Sequence, residues 1–220
     1  MQTRPPVGFI VEGHGEHNCY PSLFCKINNS SGFKVPVINA GGCGSIVKRL
    51  PQQLNDLLTV DSPEHVIVTV DLKDVLSQNL AQSEEQLIQI LETEIAKWRA
   101  EASTDTRLHP LPKKIVCLAQ VLKFESWILA DTQGLKTASI IKTTAEDLTD
   151  AEAIAEPVAW LKKNMVSVND IKNPKFAKTV IAALDPREMR HHSKSFGKFY
   201  THCCELYEAW LKSSGMEEAA

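Results

Sequence analysis

The chain has 220 residues, of which 43% are hydrophobic and 23% charged, the composition of an ordinary globular protein. No apolar run approaches the ~18 residues of a membrane span, and no apolar signal segment follows the N-terminal arginine. We therefore expect a cytoplasmic protein without membrane contact. The net charge of −3 argues against a nonspecific DNA coat protein. The cysteines lack Cys-x-x-Cys spacing and the histidines form no His-Glu-x-x-His pattern, which argues against zinc or a disulfide framework.

The first informative stretch is VGFIVEGHGE at residues 7–16. Its apolar run predicts a buried strand over 7–11, and helical spacing predicts a helix over 16–27. Between them, two glycines allow a tight turn that carries Glu12 and Glu16. Two carboxylates four residues apart suit a divalent metal ion. They do not suit a phosphate cradle, which would need backbone N–H groups free of a facing acid.

The next predicted unit is a short strand over residues 34–38, and Pro36 within it indicates an edge position or a strand start. A helix over 46–57 follows, with Ser45 as its predicted N-cap. The glycine-rich stretch 41–45 before this helix fits either an anion site or a tight strand-to-helix turn.

Two further strands are predicted to end near acidic residues. The apolar run 65–70 is followed by Asp71 and Asp74, and the run 113–119 is followed by Glu125 at the start of a short helix. An amphipathic helix over 84–98 separates these strands. Such alternation predicts an α/β fold with a parallel sheet of about four strands flanked by helices. The acids would then converge at one sheet edge, where they need cations between them.

These motifs resemble the Toprim domain of OLD-type nucleases and of small bacterial Toprim-like proteins. Glu12 with Glu16 matches the first Toprim acid, Asp71 the central aspartate motif, and Glu125 the glutamate after the third strand. The resemblance implies a Toprim-like, mostly parallel α/β core over residues 1–131. It also implies Mg²⁺ or Mn²⁺ as cofactor and Glu12 as a catalytic residue. The implied metal ligands are Glu12, Glu16, Asp71, Asp74 and Glu125.

One departure from the family pattern concerns the second aspartate. The usual motif is Asp-x-Asp, whereas this chain reads Asp71-Leu72-Lys73-Asp74. The longer spacing moves the second carboxylate, and Lys73 stands where the family has an acid. This departure argues against a second metal ion.

Residues 132–220 are predicted to be a helical, basic extension packed on the core. Between 160 and 212 the sequence has ten Lys/Arg and five acids, the distribution of a phosphate-contacting flank. The resemblance assigns Lys178, or as second choice Lys175, to the scissile phosphate; a solvated basic helix face is the alternative. His191 or His192 could instead be a general acid. Phosphate contacts are predicted for Arg187, Arg190, Lys194 and Lys198.

The sequence thus favours a metal-dependent phosphodiesterase, a nuclease acting on DNA more than RNA. The resemblance implies a role in antiviral defence with a separately encoded ATPase as candidate partner. A second copy of this chain is a further candidate partner. No P-loop motif is present in the chain. The alternative is a catalytically impaired binding subunit of such a complex. A Rossmann-like small-molecule domain using Gly41–Gly44 is disfavoured by the facing carboxylate of Glu12.

Overall fold

The computed structural model describes residues 4–167, 170 and 172–215. Its centre is a four-stranded sheet of β1 (Val7–Val11), β2 (Val37–Asn39), β3 (His65–Asp71) and β4 (Lys114–Gln120). All pairings in the sheet are parallel, and the strand order is β2-β1-β3-β4. Helices cover both faces, which confirms the predicted α/β fold class with its helical C-terminal part.

The connections between the strands are helical, as right-handed crossovers of a parallel sheet require. Short 3₁₀ helices lie at Thr106–Leu108 and Ala151–Ala153. The α-helices within the described residues are α1 (His14–Ile27), α2 (Cys43–Val60), α3 (Leu72–Ser77), α4 (Glu84–Ala102), α5 (Phe124–Leu129), α6 (Thr132–Thr137), α7 (Pro157–Asn164), α8 (Pro174–Ala183), α9 (Pro186–His192) and α10 (Lys194–Ser214).

Alternate strand residues build two hydrophobic layers, because successive side chains of a strand point to opposite faces. Phe9 faces the layer that contains α1 and α10, where its ring lies 5.2 Å from that of Tyr20 and 6.0 Å from that of Phe199. Ile10 faces the layer formed with α2 and α4. The strand β1 is completely buried between these layers.

The predicted edge strand lies at the sheet edge, but it begins later than expected. Pro36 has no N–H to donate, and its carbonyl accepts a 2.9 Å hydrogen bond from the backbone N–H of Phe9. Regular pairing therefore starts at Val37, opposite Phe9. Pro36 therefore stands both at the sheet edge and directly before the start of β2, in agreement with both interpretations of this proline.

The start of α2 corrects the predicted N-cap. The cap residue is Gly42 instead of Ser45, and Gly41 and Gly42 have φ values of 77° and 121°, which glycine adopts readily. The helix consequently begins at Cys43. It kinks at Arg49 (φ −130°), just before Pro51.

The C-terminal helices pack directly on the sheet and on α1. Side chains of α10 join the same hydrophobic cluster as Phe9 and Tyr20. The amide of Asn18 donates to the carbonyl of Lys172 (2.9 Å), while the ammonium group of Lys26 donates to the carbonyls of Ile181 (3.1 Å) and Ala182 (2.7 Å). The helix α1 thus holds both the segment before α8 and the last turn of α8. The predicted domain division at residue 131 stays a prediction.

Among the described residues, none of the helices combines the length and the apolar character that a membrane crossing requires.

Candidate metal centre

The site lies where the strand order reverses between β1 and β3, the position at which open α/β sheets bind ligands. Glu12 directly follows β1, and Asp71 is the last residue of β3. The backbone N–H of Asp71 donates to Oε1 of Glu12 (2.7 Å), and the backbone N–H of Gly42 donates to the carbonyl of Glu12 (2.9 Å). The glycine turn before α2 therefore fixes the backbone of the first acid.

Asp74 joins these two acids because α3 begins immediately after β3. Asp71 is the N-cap of α3 and Asp74 lies in its first turn, so the spacing of three brings the second carboxylate back to the strand end. Glu12, Asp71 and Asp74 each offer one oxygen, and these oxygens lie within 4.8 Å of one another. Lys73 is not in this group, since it donates to Glu156 (2.6 Å) and to the carbonyl of Ala155 (2.9 Å).

Two of the three carboxylates, those of Glu12 and Asp71, are largely removed from solvent. Asp71 is 7% exposed, and its Oδ1 has no hydrogen-bond partner in the part of the chain that the structure describes. Burial, and then the charge of Glu12, raise the pKa of Asp71 well above its ordinary value. Burial likewise raises the pKa of Glu12 from 4.5 to about 7, although the hydrogen bond from the backbone N–H of Asp71 acts to lower it. A hard divalent cation would satisfy these oxygens.

Glu16 and Glu125 form a second pair of acids near the first group. They lie in the first turns of α1 and α5. Burial, and then the charge of Glu125, raise the pKa of Glu16 to about 7, and burial raises the pKa of Glu125. The predicted convergence of acids is therefore present, although the tight group consists of the residues at 12, 71 and 74.

All five predicted ligands line one cavity of about 510 Å³. Glu156 and Asp170 add two more carboxylates to its wall, and three lysines line it as well. Sequence reasoning missed these lysines. Lys123, two residues before Glu125 near a strand end, carried a usable signal, whereas the others come from far along the chain. The three are Lys123, Lys162 and Lys172.

Lys123 makes a direct contact with the acids. Its Nζ lies 2.9 Å from Oδ2 of Asp74, and the side chain is 32% exposed. Lys162 and Lys172, which come from the C-terminal half of the chain, add positive charge to the lining of the cavity.

The two lysines predicted for the scissile phosphate are not part of this cavity. The helix α8 buries Ala177, Val180 and Ile181, so Lys175 and Lys178 lie on its exposed face. Neither lysine is among the residues that line the acidic cavity. The structure thus provides no support for the role assigned to Lys178 or Lys175.

The predicted phosphate-contacting residues of α9 and α10 also lie outside the acidic cavity. Arg187 lines a different cavity of about 370 Å³, and the guanidinium of Arg190 stands 5.1 Å from the ring centre of Tyr200. Lys198 pairs with Glu84 at 2.7 Å, and Lys194 is exposed at the start of α10.

Of the two candidate general acids, His192 uses Nδ1 in a 3.1 Å hydrogen bond with the carbonyl of Ala130. His191 is exposed on α9. Neither imidazole is among the residues lining the acidic cavity.

Residues 11–203 match the family described as Domain of unknown function (DUF4276). Because this match spans most of the chain, the protein belongs to that family. A search of curated proteins and a search of solved structures found no match. The resemblance to Toprim domains therefore depends on the residues of the chain alone.

Proposed function

We propose that this DUF4276 family member is a metal-dependent phosphodiesterase that cleaves nucleic acid, with Mg²⁺ or Mn²⁺ held by Glu12, Asp71 and Asp74. One observation carries the proposal: Oδ1 of Asp71 is buried without a partner among the described residues, beside two more carboxylates. A buried, unpartnered carboxylate is costly, and carboxylate oxygens are the ligands that these hard ions prefer.

The residues of the chain would prepare the site for a phosphodiester. When bound, the ion supplies Lewis acidity toward a phosphoryl oxygen and toward water. The N–H of Asp71 orients Glu12, and Lys162 and Lys172, which line the same cavity, provide positive charge for a phosphate. Seven acids would otherwise repel a polyanion, so we expect the ion to be needed for substrate binding as well as for cleavage.

The direct test is cleavage of plasmid, single-stranded DNA and RNA by the purified protein in Mn²⁺, in Mg²⁺ and in EDTA. We expect cleavage only with a divalent ion and none in Asp71→Asn, which keeps the side-chain volume and removes the charge. Asp105→Asn is the matched control, because Asp105 does not line the cavity and pairs with Arg107 (2.7 Å). Cleavage that survives in Asp71→Asn would refute the proposal.

A second candidate function is the catalytically impaired binding subunit. Two observations favour it: the ammonium group of Lys123 already pairs with Asp74, and the lysines predicted to act on phosphate do not line the cavity. In that case Mn²⁺ would raise the melting temperature without any cleavage, and nucleic acid would still bind. The proposed setting, antiviral defence in the cytoplasm with an ATPase partner or a second copy of the chain, depends on the Toprim resemblance.

A further inference from the structure

We infer that the site takes one divalent ion per chain, because the ammonium group of Lys123 holds the place beside Asp74 that a second ion would need. This inference depends on the proposed metal site, but it does not depend on turnover. It names Lys123 as a positioning residue that sets how many ions the carboxylates accept.

The first step concerns the oxygens that are available. Paired metal ions in phosphodiesterases lie about 4 Å apart and share carboxylates. Asp74 is the outermost acid of the tight group, and its Oδ2 is 2.9 Å from Nζ of Lys123. An ammonium group at hydrogen-bonding distance excludes a cation that would need ~2.0–2.6 Å to the same oxygen.

The second step concerns the position of Lys123 relative to both groups of acids. Its charge acts on Asp74 and Asp71 of the tight group, and on Glu12 of the same group. It also acts on Glu16 and Glu125, the second pair. A bridging second ion would have to serve these same carboxylates. The ammonium group therefore supplies the positive charge that such an ion would bring.

The third step concerns how firmly the lysine is held. Lys123 is the N-cap residue of α5, and its carbonyl accepts hydrogen bonds from Ser126 through the backbone N–H (2.9 Å) and through Oγ (2.7 Å). Ser126 is completely buried. The first turn of α5 therefore fixes the backbone position from which the side chain of Lys123 reaches Asp74.

The chain offers a matched control in Lys73. It lies next to Asp74 in the sequence and carries the same charge, but it pairs with Glu156 at 2.6 Å. Removing its charge leaves the contact between Lys123 and Asp74 in place.

The test is calorimetric titration of Mn²⁺ into metal-stripped protein, with Mn²⁺ electron paramagnetic resonance to detect coupled ion pairs. We expect one ion in the wild type and in Lys73→Met, and two in Lys123→Met and Lys123→Gln, with a coupled-pair signal. Melting curves report whether each variant is folded.

Two ions in the wild type would overturn the inference and leave the metal site intact. One ion in both folded Lys123 variants would overturn it as well. By contrast, a wild type that binds no ion, or an Asp71→Asn variant that still binds one, would overturn the proposed metal site itself.

Discussion

The backbone N–H of Asp71 donates a 2.7 Å hydrogen bond to Oε1 of Glu12, 59 positions earlier in the chain. This bond joins the ends of two neighbouring parallel strands through a carboxylate. It places the buried side chain of Asp71 beside a second acid. Burial raises the pKa of both carboxyl groups, although the hydrogen bond itself acts to lower the pKa of Glu12. The proposed function places a cation between these carboxylates, and the predictions below depend on that proposal.

The first prediction concerns the substitution Asp71→Asn in metal-free protein. It removes a buried charge whose Oδ1 has no partner among the residues described, so we expect the free energy of unfolding at pH 8 to rise by about 1 kcal/mol or more. The same substitution should abolish stabilisation by Mn²⁺. Urea unfolding in EDTA and in Mn²⁺ measures both effects. A variant less stable than the wild type in EDTA would contradict the prediction.

The second prediction is the pH dependence of stability without metal. Burial raises the pKa of Glu12 and of Glu16 from 4.5 to about 7. Between these values the folded state keeps protons that the unfolded state has released. This stabilisation is complete below pH 4.5 and is lost as the pH rises through 7, on the order of 3 kcal/mol for Glu12.

Urea titrations in EDTA between pH 5 and pH 8 measure how steeply the free energy of unfolding falls with pH. Each proton that only the folded state keeps contributes a slope of ~1.4 kcal/mol per pH unit. Glu16→Gln should flatten the slope, whereas the exposed Glu146→Gln should leave it unchanged. A stability that increases over this range would show that other groups dominate.

The third prediction is that metal binding releases protons. Because Glu12 has a pKa near 7, an ion must displace its proton at lower pH, and affinity should fall up to about tenfold per pH unit and proton below 7. Calorimetry of Mn²⁺ binding at pH 6 and pH 8, in buffers of different ionisation enthalpy, counts these protons. A pH-independent affinity would argue that the ion binds elsewhere.

The fourth prediction concerns Glu152, which lies outside the acidic cavity. One of its oxygens accepts hydrogen bonds from Oγ of Ser193 and from the backbone N–H of Ser195, both 2.8 Å, and Oγ of Ser195 in turn accepts one from Nε1 of Trp127 (2.7 Å). We expect Glu152→Ala to destabilise the fold by about 2–3 kcal/mol.

The binding of Mn²⁺ should be unchanged in folded Glu152→Ala, because this carboxylate does not line the cavity. Glu146→Ala is the control for removing an exposed glutamate. Thermal melts and calorimetry measure the two properties separately, and a loss of metal binding with full stability would contradict the assignment.

The parts of the fold that local patterns determine were predictable. Runs of β-branched residues located the four strands, and Pro36 located the edge. Ser45 was a wrong N-cap, because two glycines with positive φ turn the chain three residues earlier. Helix boundaries of this kind depend on backbone conformations that residue type alone does not determine.

The site was predictable to the extent that strand ends determine it. Glu12 and Asp71 follow from the rule that ligands bind at the carboxyl ends of parallel strands. Asp74 lies beside these two acids only because α3 starts directly after β3, without an intervening loop. The contribution of Lys172 depends on a tertiary contact with Asn18, and no periodicity in the sequence reveals a contact of that type.

The two attachments of α1, from Asn18 to Lys172 and from Lys26 to the end of α8, have a practical consequence for protein engineering. A chimera that joined residues 4–131 to the second half of a relative would need matching partners for both side chains. Without them, the backbone of Lys172 on the cavity wall would no longer be held by Asn18, even if every acidic residue were retained. Grafting experiments in this family should therefore exchange α1 and α8 together.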